Sequence, residues 1–266
     1  MAFSGTTVPA DHSHKQRLPV LLYHRIDGEA DKNWRRFCVA PAHFAEQMAW
    51  LAGAGYRTID LHALLDYYAQ GRAVPEKALV ITFDDGYFCN YSRAFPVMAK
   101  FNFTGTIFLA ANLMRTAAAP PPESRHSFMS WQEIREMQAH GWSFQSHGLA
   151  HVNLTTLDAG QVWQEVSHSR ALLADKLGRP VDFFCYPFAG FNPQVMAAVA
   201  AAGYRGACGG PPFYADGPVS PFAIGRTEIL WQDSFTQFRF KMQQGLGYYY
   251  FTRRQLGKVK RLLWRS

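Results

Sequence analysis

The stretch that most constrains the fold is residues 78–86, which read Ala-Leu-Val-Ile-Thr-Phe-Asp-Asp-Gly. A short apolar run that ends in turn residues is typical of a buried strand in a parallel sheet. Gly86 tolerates a positive φ and therefore permits a sharp exit from that strand. Asp84 and Asp85 thus stand where a strand ends and a loop begins, which is where α/β folds place their chemistry.

Asp84 and Asp85 would repel each other in one site unless a cation held one of them. A metal ion meets this need, because one aspartate can ligate it while the other stays free as a base. The same residues also make an ordinary solvated turn, since aspartate and glycine are common turn formers. The pair alone leaves both interpretations open, and the rest of the chain has to decide between them.

Predicted strands and predicted helices alternate along the chain about seven times, a pattern typical of parallel β/α construction. The strands are predicted at 18–23, 56–59, 78–83, 104–109, 142–146, 181–186, 204–208 and 223–230. The helices are predicted at 41–54, 61–70, 91–101 (with Pro96 as a weak point), 158–177 and 193–202, plus one with a Ser130–Glu133 capping box. Residues 27–40 are predicted to be a surface loop. We therefore expect a closed or nearly closed barrel, in which the loops that follow the strands gather at one face.

Composition indicates a globular protein, because 48% of the 266 residues are hydrophobic and only 18% are charged. No apolar run is long enough to cross a bilayer, and the N-terminus carries no recognisable secretory signal. Four widely spaced cysteines without a Cys-x-x-Cys motif predict free thiols in a reducing compartment. We expect a cytoplasmic protein, free or bound peripherally to the membrane, with residues 1–17 as a flexible arm before a domain at 18–232.

The net charge of +7 belongs to the C-terminal end, where residues 234–266 hold eight Lys or Arg and no Asp or Glu. Within 252–266, apolar and basic residues alternate at helical spacing, so we predict a basic amphipathic helix in an extension at 233–266. Such a helix would contact anionic lipid, or it would pack on the domain with its basic face in water. No recognition motif for nucleic acid accompanies the charge, and no nucleic-acid partner is expected.

A second informative stretch places His147 and His151 four residues apart after a predicted strand. The two side chains share one face if the backbone is helical there, and neutral imidazoles at this spacing are familiar metal ligands. With Asp85 they would make three protein ligands and leave positions open for water and substrate. A single His-x-x-x-His pair also occurs by chance among surface histidines.

Three stretches of the chain read Thr-Phe-Asp-Asp-Gly at 82–86, His-x-x-x-His-x-Asn-Leu at 147–154 and Phe-Phe-Cys-Tyr-Pro-Phe at 183–188. Together they resemble the polysaccharide deacetylase family, also called the NodB-homology or carbohydrate esterase family 4 domain. The resemblance covers roughly residues 18–230. It implies an α/β fold, a distorted (β/α)7 barrel, and metal-dependent hydrolysis of an N-acetyl, sometimes O-acetyl, group on a sugar. We expect this sugar to be part of a polysaccharide or an oligosaccharide, or to be lipid-linked if the C-terminal helix contacts the membrane.

The resemblance also implies roles for individual residues. Asp85, His147 and His151 match the metal ligands, Asp84 matches the general base, and the backbone N–H near Phe188 would hold the oxyanion. Zn²⁺ is the expected ion, although two histidines and an aspartate also suit Fe, Co or Ni. Such an ion would lower the pKa of a water toward about 7 and polarise the acetyl carbonyl.

The chain departs from much of the family in two places. No histidine follows residue 168, where many members carry a late catalytic histidine, and Cys185 occupies the position of a family arginine. His24 is therefore the predicted general acid, since 20–25 resembles the first strand of the poly-N-acetylglucosamine deacetylase subgroup; a capping or core histidine is the alternative. Arg226 is predicted to steer Asp84 or Asp85 in place of the missing arginine, with a surface ion pair as the alternative.

Residues predicted to contact the substrate complete the hypothesis: Tyr87, Tyr186 and Pro187. The same machinery would serve a deformylase or a hydrolase of small cyclic amides. A non-catalytic carbohydrate-binding relative is a further alternative, given the missing late histidine. A non-haem iron oxygenase also uses two histidines and a carboxylate, but its usual antiparallel double-sheet barrel does not fit the β/α alternation.

Overall fold

The computed structural model describes residues 18–28, 34–116, 127–209 and 220–243. A curled parallel sheet forms its centre and helices cover the outside. The strands are β1 (Val20–Tyr23), β2 (Arg25–Ile26), β3 (Cys38–Val39), β4 (Arg57–Thr58), β5 (Ala78–Phe83), β6 (Thr106–Leu109), β7 (Ser143–Ser146), β8 (Phe183–Cys185), β9 (Gly206–Cys208) and β10 (Thr227–Glu228). The helices are α1 (Pro41–Gly53), α2 (Leu61–Gln70), α3 (Phe95–Ala99), α4 (Trp131–Ala139), α5 (Ala159–Leu177), α6 (Pro193–Ala201) and α7 (Phe235–Gln243).

The main sheet has eight strands in the order β10-β1-β5-β6-β7-β8-β9, with β4 paired to β5. Every pairing between these strands is parallel. Parallel neighbours need crossover connections, and the helices between the strands provide them. The predicted parallel β/α architecture is confirmed.

Residues 220–228, called here the closing segment, join the two edges of the sheet. Ile224 pairs with Cys208 of β9, while Thr227 pairs with Leu21 of β1. The carbonyl of Ile224 accepts a hydrogen bond from the N–H of Gly209 at 3.0 Å. The predicted strand at 223–230 is therefore divided between two neighbours, which closes the barrel and distorts it.

Strand β5 explains why this barrel has two apolar layers. Its alternate residues Leu79, Ile81 and Phe83 belong to the cluster beneath the helices, whereas Ala78 and Val80 belong to the cluster inside the barrel. All six residues of the strand are buried, as a continuous apolar run in a parallel sheet requires. The inward series continues to residues 82 and 84, so Asp84 follows on the side of the barrel axis.

Helix ends follow local signals that the sequence displays. The predicted capping box at α4 is present, with the Ser130 side chain accepting from the Glu133 backbone and the Glu133 carboxylate accepting from the Ser130 backbone. Asp158 caps α5 in the same way, and Gly178 ends that helix in the left-handed conformation. Capping satisfies backbone groups that have no partner within the helix.

Two local predictions were wrong in detail. Residues 27–40 are not wholly a loop, because β3 pairs with β2 and a 3₁₀ turn covers Arg35–Phe37. The predicted helix at 91–101 begins as a π-helical turn over Asn90–Ala94 and continues as α3. Pro96 lies just after this π-helical turn and has no N–H to donate to it, so the irregular turn occurs at the weak point that the sequence displays.

Helix α7 packs on the barrel through Phe238, which is fully buried and contacts Trp50 of α1 edge-on. Its Lys241 is buried with Asp233 in an ion pair. The arm at 1–17 and the predicted helix at 252–266 lie outside the described residues, so the domain boundaries and the lipid contact stay predictions. Among the helices of the described ranges, none combines the length and the apolar character needed to span a membrane.

Candidate metal centre and active site

One cavity of about 640 Å³ opens at the carboxyl ends of the barrel strands. It collects nearly all of the side chains that the sequence singled out. The predicted site residues on its wall are His24, Asp84, Asp85, Tyr87, His147, His151, Tyr186, Phe188 and Arg226. Pro187 is buried beneath the turn that it begins and is not among the residues of this wall.

Asp84 and Asp85 point to different partners because the chain turns between them. Asp85 has φ = 73° and Gly86 has φ = 82°, so the strand ends in two left-handed residues. A Cβ on Gly86 would lie 2.7 Å from Leu109 Cδ2, which also excludes larger residues there. The predicted sharp exit at Gly86 is confirmed, and it aims both carboxylates into the cavity.

Backbone strain concentrates at this face of the barrel. The described residues include five with positive φ that are not glycine, and all but Asn102 lie at the site: Asp85, His151, Phe188 and Ala189. A left-handed conformation costs a residue other than glycine about 1–3 kcal/mol and persists only where its surroundings impose it. Such clustering is typical of a functional site.

Asp85, His147 and His151 converge on one point. Asp85 Oδ1 lies 3.0 Å from His151 Nε2 and 3.5 Å from His147 Nε2, and the three atoms lie within 4.8 Å of one another. Although it is buried, Asp85 Oδ1 has no hydrogen-bond partner in the described part of the chain. A buried carboxylate oxygen without a hydrogen bond, close to two imidazole nitrogens, fits a divalent cation.

The second nitrogen of His147 supports the same assignment. His147 Nδ1 lies 2.7 Å from the backbone carbonyl of Cys185. A carbonyl can only accept, so Nδ1 carries the proton and Nε2 presents its lone pair toward Asp85. Orientation by a backbone carbonyl is the usual arrangement for a metal-binding histidine.

The two histidines do not reach the site from a helix. The residues from 147 to 153 form a loop after β7, with φ = 81° at Gly148 and φ = 56° at His151. The premise that helical spacing brings the two imidazoles to one face was therefore wrong. The turn itself brings the ring centroids to 4.8 Å.

Arg226, from the closing segment, holds the other carboxylate. Its Nη1 and Nη2 donate to the two oxygens of Asp84 at 2.7 and 2.8 Å, and Nη1 also donates to Thr82 Oγ1 at 3.1 Å. Burial alone would raise the pKa of Asp84, but the charge of Arg226 and the neighbouring imidazoles hold that pKa well below its ordinary value. Asp84 is therefore a carboxylate at neutral pH. Arg226 is buried, so the alternative of a surface ion pair was wrong.

Cys185 belongs to the same cluster, which sequence reasoning missed because it predicted only a free thiol at this position. Arg226 Nη2 lies 2.9 Å from Cys185 Sγ, and Sγ lies 3.5 Å from Asp84 Oδ2. Burial raises the pKa of the Cys185 thiol, so it stays neutral. The available signal was its position in the 183–188 motif, where the family resemblance led us to expect an arginine.

His24 faces Asp84 from the end of β1. Its Nε2 lies 4.0 Å from Asp84 Oδ2, and its ring packs against Phe37 with centroids 5.0 Å apart. Phe37 lies within the predicted loop at 27–40, and no sequence signal indicated this contact. The histidine lines the cavity, so its ring is accessible to a ligand there.

The remaining predicted contacts form the walls of the cavity. Tyr87 stacks on Phe128 at 5.1 Å, and the hydroxyl of Tyr186 donates to the carbonyl of Phe222 at 3.1 Å. Phe188 is 66% exposed and lies with its ring centroid 4.7 Å from that of His151. Aromatic faces therefore flank the candidate metal ligands at the mouth.

Comparison with known proteins gives a consistent assignment. The family model described as polysaccharide deacetylase matches residues 71–207. YxkH of Bacillus subtilis (strain 168), whose name refers to the same family, is 28% identical over 189 residues, or 71% of this chain and 63% of YxkH. The poly-beta-1,6-N-acetyl-D-glucosamine N-deacetylase of Escherichia coli (strain K12) is 30% identical over 123 residues, or 44% of this chain and 18% of that protein.

The fold has a counterpart among solved structures. IcaB from Ammonifex degensii superimposes with a TM-score of 0.71 at 25% identity, over 85% of this chain and 97% of IcaB. This confirms the predicted barrel of the NodB-homology type. This chain spans less than two thirds of the length of the two curated relatives named above. The family model, however, covers 137 of the 266 residues, including both aspartates and both histidines, and the chain belongs to the polysaccharide deacetylase family.

Proposed function

We propose that this chain hydrolyses the N-acetyl group of an acetamido sugar with the help of a divalent metal ion. One observation carries the proposal: Asp85 converges with two imidazole nitrogens, while the adjacent Asp84 is held apart by Arg226. The name of the Escherichia coli relative supports an N-acetylated amino sugar as the substrate class. The sugar would be part of a polysaccharide, an oligosaccharide or a lipid-linked precursor.

Asp85, His147 and His151 would hold the ion. Zn²⁺ is the first choice, and Fe, Co or Ni also suit these ligands. When bound, such an ion lowers the pKa of a water and acts as a Lewis acid on the acetyl carbonyl. All three side chains line the cavity, so water and substrate would reach the ion from there.

Asp84 would accept a proton from the attacking water. Because Arg226 keeps it ionised, Asp84 is ready as an acceptor at neutral pH, although the same pairing makes it a weak base. A weak base passes its proton on readily. His24 would deliver a proton to the departing amine, and the distance of 4.0 Å between its Nε2 and Asp84 Oδ2 supports this role.

The turn at residues 187–190 would stabilise the oxyanion. The N–H groups of Ala189 and Gly190 donate to the carbonyls of Tyr186 and Pro187, at 3.1 and 3.0 Å. Within the described ranges, the N–H of Phe188 donates to no backbone carbonyl. The Phe188 ring lies 4.7 Å from that of His151, which supports a position of this turn next to the candidate metal ligands. A backbone donor aimed at developing negative charge is a strong catalytic group.

Acetate release tests the proposal. The chain is stripped of metal, reconstituted with Zn²⁺, and incubated with β-1,6-linked N-acetylglucosamine oligomers and with a lipid-linked acetamido sugar. We expect acetate from at least one substrate, loss of that activity with a chelator, and recovery with added Zn²⁺. N-formyl and O-acetyl analogues and small cyclic amides test the neighbouring hydrolases. Oxygen uptake with a 2-oxo acid tests an oxygenase. Zn²⁺-loaded protein that releases acetate from none of the substrates contradicts the proposal.

A further inference from the structure

Helix α5 lies against the turn that carries both candidate histidine ligands. Two of its polar side chains, Glu165 and Ser169, are four residues apart and therefore share one face of the helix. Ser169 is fully buried, and its hydroxyl accepts from Ser146 Oγ at 2.9 Å, directly before His147. The Ser146 hydroxyl in turn accepts from the N–H of Gly148 at 3.2 Å.

Glu165 holds the middle of the same turn. Its Oε2 accepts from the backbone N–H of Leu149 at 2.8 Å and from that of Ala150 at 3.2 Å. Two consecutive N–H groups that converge on one anionic oxygen form a nest, which favours negative charge. Hydrogen bonds to a carboxylate are also shorter and stronger than neutral ones. The carboxylate thus fixes the two central peptide units of the four that separate His147 from His151.

The other side of the turn is held by backbone alone. The carbonyls of Gly148 and Leu149 accept from the N–H groups of Ala111 and Asn112, at 3.0 and 2.9 Å. The N–H of His147 donates to the carbonyl of Leu109 at 2.8 Å. These bonds do not depend on side-chain identity. Glu165 is therefore the side chain on which the central N–H groups of the turn depend.

The turn is also shaped to admit this carboxylate. Gly148 has φ = 81°, and a Cβ there would lie 3.0 Å from Glu165 Oε2. His151 follows with φ = 56°, a conformation that persists only where the surroundings impose it. Helix α5 constrains the turn just before His151, through the bonds of Glu165 to Leu149 and Ala150.

We propose that Glu165 is a positioning residue that sets the spacing of the His147 and His151 imidazoles and thereby the affinity of the site for its metal ion. The inference rests on the metal site of the proposed function and adds a determinant outside its ligands. Groups that orient metal ligands typically change metal affinity about 10- to 100-fold when they are removed. Glu165 is expected to act within that range.

The test measures Zn²⁺ affinity directly, by competition with a chromophoric chelator on metal-free full-length chain. Glu165→Ala is expected to weaken Zn²⁺ binding about 10- to 100-fold. Glu165→Gln is expected to lose less, because its amide oxygen can still accept from both N–H groups. Asp175→Ala is the matched control, since it removes an exposed carboxylate from the same helix, and it is expected to bind Zn²⁺ like the parent.

Cobalt substitution adds a second readout that a general loss of stability would not produce. The Co²⁺ absorption bands of Glu165→Ala should shift in position, because the geometry of the ligands changes, while those of Asp175→Ala should not. If Glu165→Ala fails to fold, Glu165→Asp replaces it: the shorter side chain keeps the charge but withdraws the oxygen from the turn, and it is expected to weaken Zn²⁺ binding too.

Wild-type Zn²⁺ affinity in Glu165→Ala, or in Glu165→Asp where the alanine variant is unfolded, overturns the inference. This result is independent of catalysis. A chain whose Zn²⁺ affinity depends on Glu165 but which releases no acetate contradicts the proposed function alone. Acetate release that is accompanied by an unchanged Zn²⁺ affinity in the variant contradicts the positioning role alone.

Discussion

Arg226 donates to both carboxylate oxygens of Asp84, at 2.7 and 2.8 Å, from the position just before β10, which lies two strands from β5 in the sheet. The paired donation matches the planar guanidinium to the planar carboxylate, a geometry that lysine cannot reproduce. Both groups are buried. The arginine therefore fixes the orientation of Asp84 as well as its charge.

Removing this arginine should destabilise the protein strongly. Arg226→Met leaves the Asp84 charge buried without its partner, which typically costs about 3–5 kcal/mol in the free energy of unfolding. Urea denaturation at pH 7 measures the change. The double variant Asp84→Asn/Arg226→Met should regain part of the loss, because neither charge of this pair remains. Arg72→Met, which breaks an exposed pair with Asp66, should change stability by less than about 1 kcal/mol. Equal effects of the two arginine variants would contradict the prediction.

The two adjacent aspartates should separate metal binding from catalysis. Asp85→Asn removes the anionic ligand, so both bound Zn²⁺ and acetate release are expected to fall. Asp84→Asn is expected to keep Zn²⁺ and to lose activity by about 10²- to 10⁴-fold, the usual range for a general base. Metal content by atomic spectroscopy and acetate release are measured on the same preparations. If Asp84→Asn lost Zn²⁺ while Asp85→Asn kept it, the roles of metal ligand and general base would have to be exchanged.

His24 is predicted to protonate the leaving amine. His24→Gln should lower kcat by about 10²- to 10⁴-fold, with Zn²⁺ content unchanged because His24 is not one of the converging ligands. A substrate with a better leaving group, such as an activated aryl acetate, should be much less affected. The comparison of the two substrates is the measurement. Wild-type turnover of the sugar substrate by His24→Gln would remove His24 from the mechanism.

Stability should depend on pH through His62, which lies far from the cavity at the start of α2. The carboxylates of Asp60 and Asp182 raise the pKa of His62. The Oδ2 atom of Asp182 lies 2.9 Å from His62 Nε2. A raised pKa means that the folded protein binds this proton more tightly. The contribution of His62 to the free energy of unfolding is therefore complete below the ordinary histidine pKa of about 6.5. It disappears as the pH rises through the raised pKa of the folded protein.

Urea midpoints of the parent and of His62→Gln between pH 6 and pH 9 measure this contribution. The difference in stability between the two proteins should be largest at pH 6 and should shrink toward pH 9. In an Asp182→Asn background the same histidine substitution should show a weaker dependence on pH. A difference that grows with rising pH would have the wrong sign for a histidine stabilised in its charged form.

Sequence reasoning worked best where a local pattern sets the structure. The apolar run before Asp84 and Asp85 predicts both the strand and its position in the barrel, since each residue of a parallel strand is buried. The capping box at Ser130 depends on two residues of one helix turn. The convergence of Asp85 with two histidines was predicted from the family motif and is present in the structure.

The failures arise where distant segments decide the outcome. The turn from His147 to His151 is fixed by Glu165 on a later helix, so the four-residue spacing alone favoured a helix. The two-residue strand β3 has no periodicity to detect. It nevertheless follows directly on Phe37, which packs against His24. Such contacts follow from the assembled barrel and leave no mark in the local sequence.

The closing segment links the chemistry to the integrity of the barrel. Arg226 lies between Ile224, which pairs with one edge of the sheet, and Thr227, which pairs with the other. A fluctuation that separates these two edges would also move the Arg226 guanidinium away from Asp84. Most of the sheet and its helices could stay in place during such a fluctuation. Mild heat or low denaturant should therefore abolish turnover before the protein unfolds globally. The lost activity would then report local opening between the two edges of the sheet.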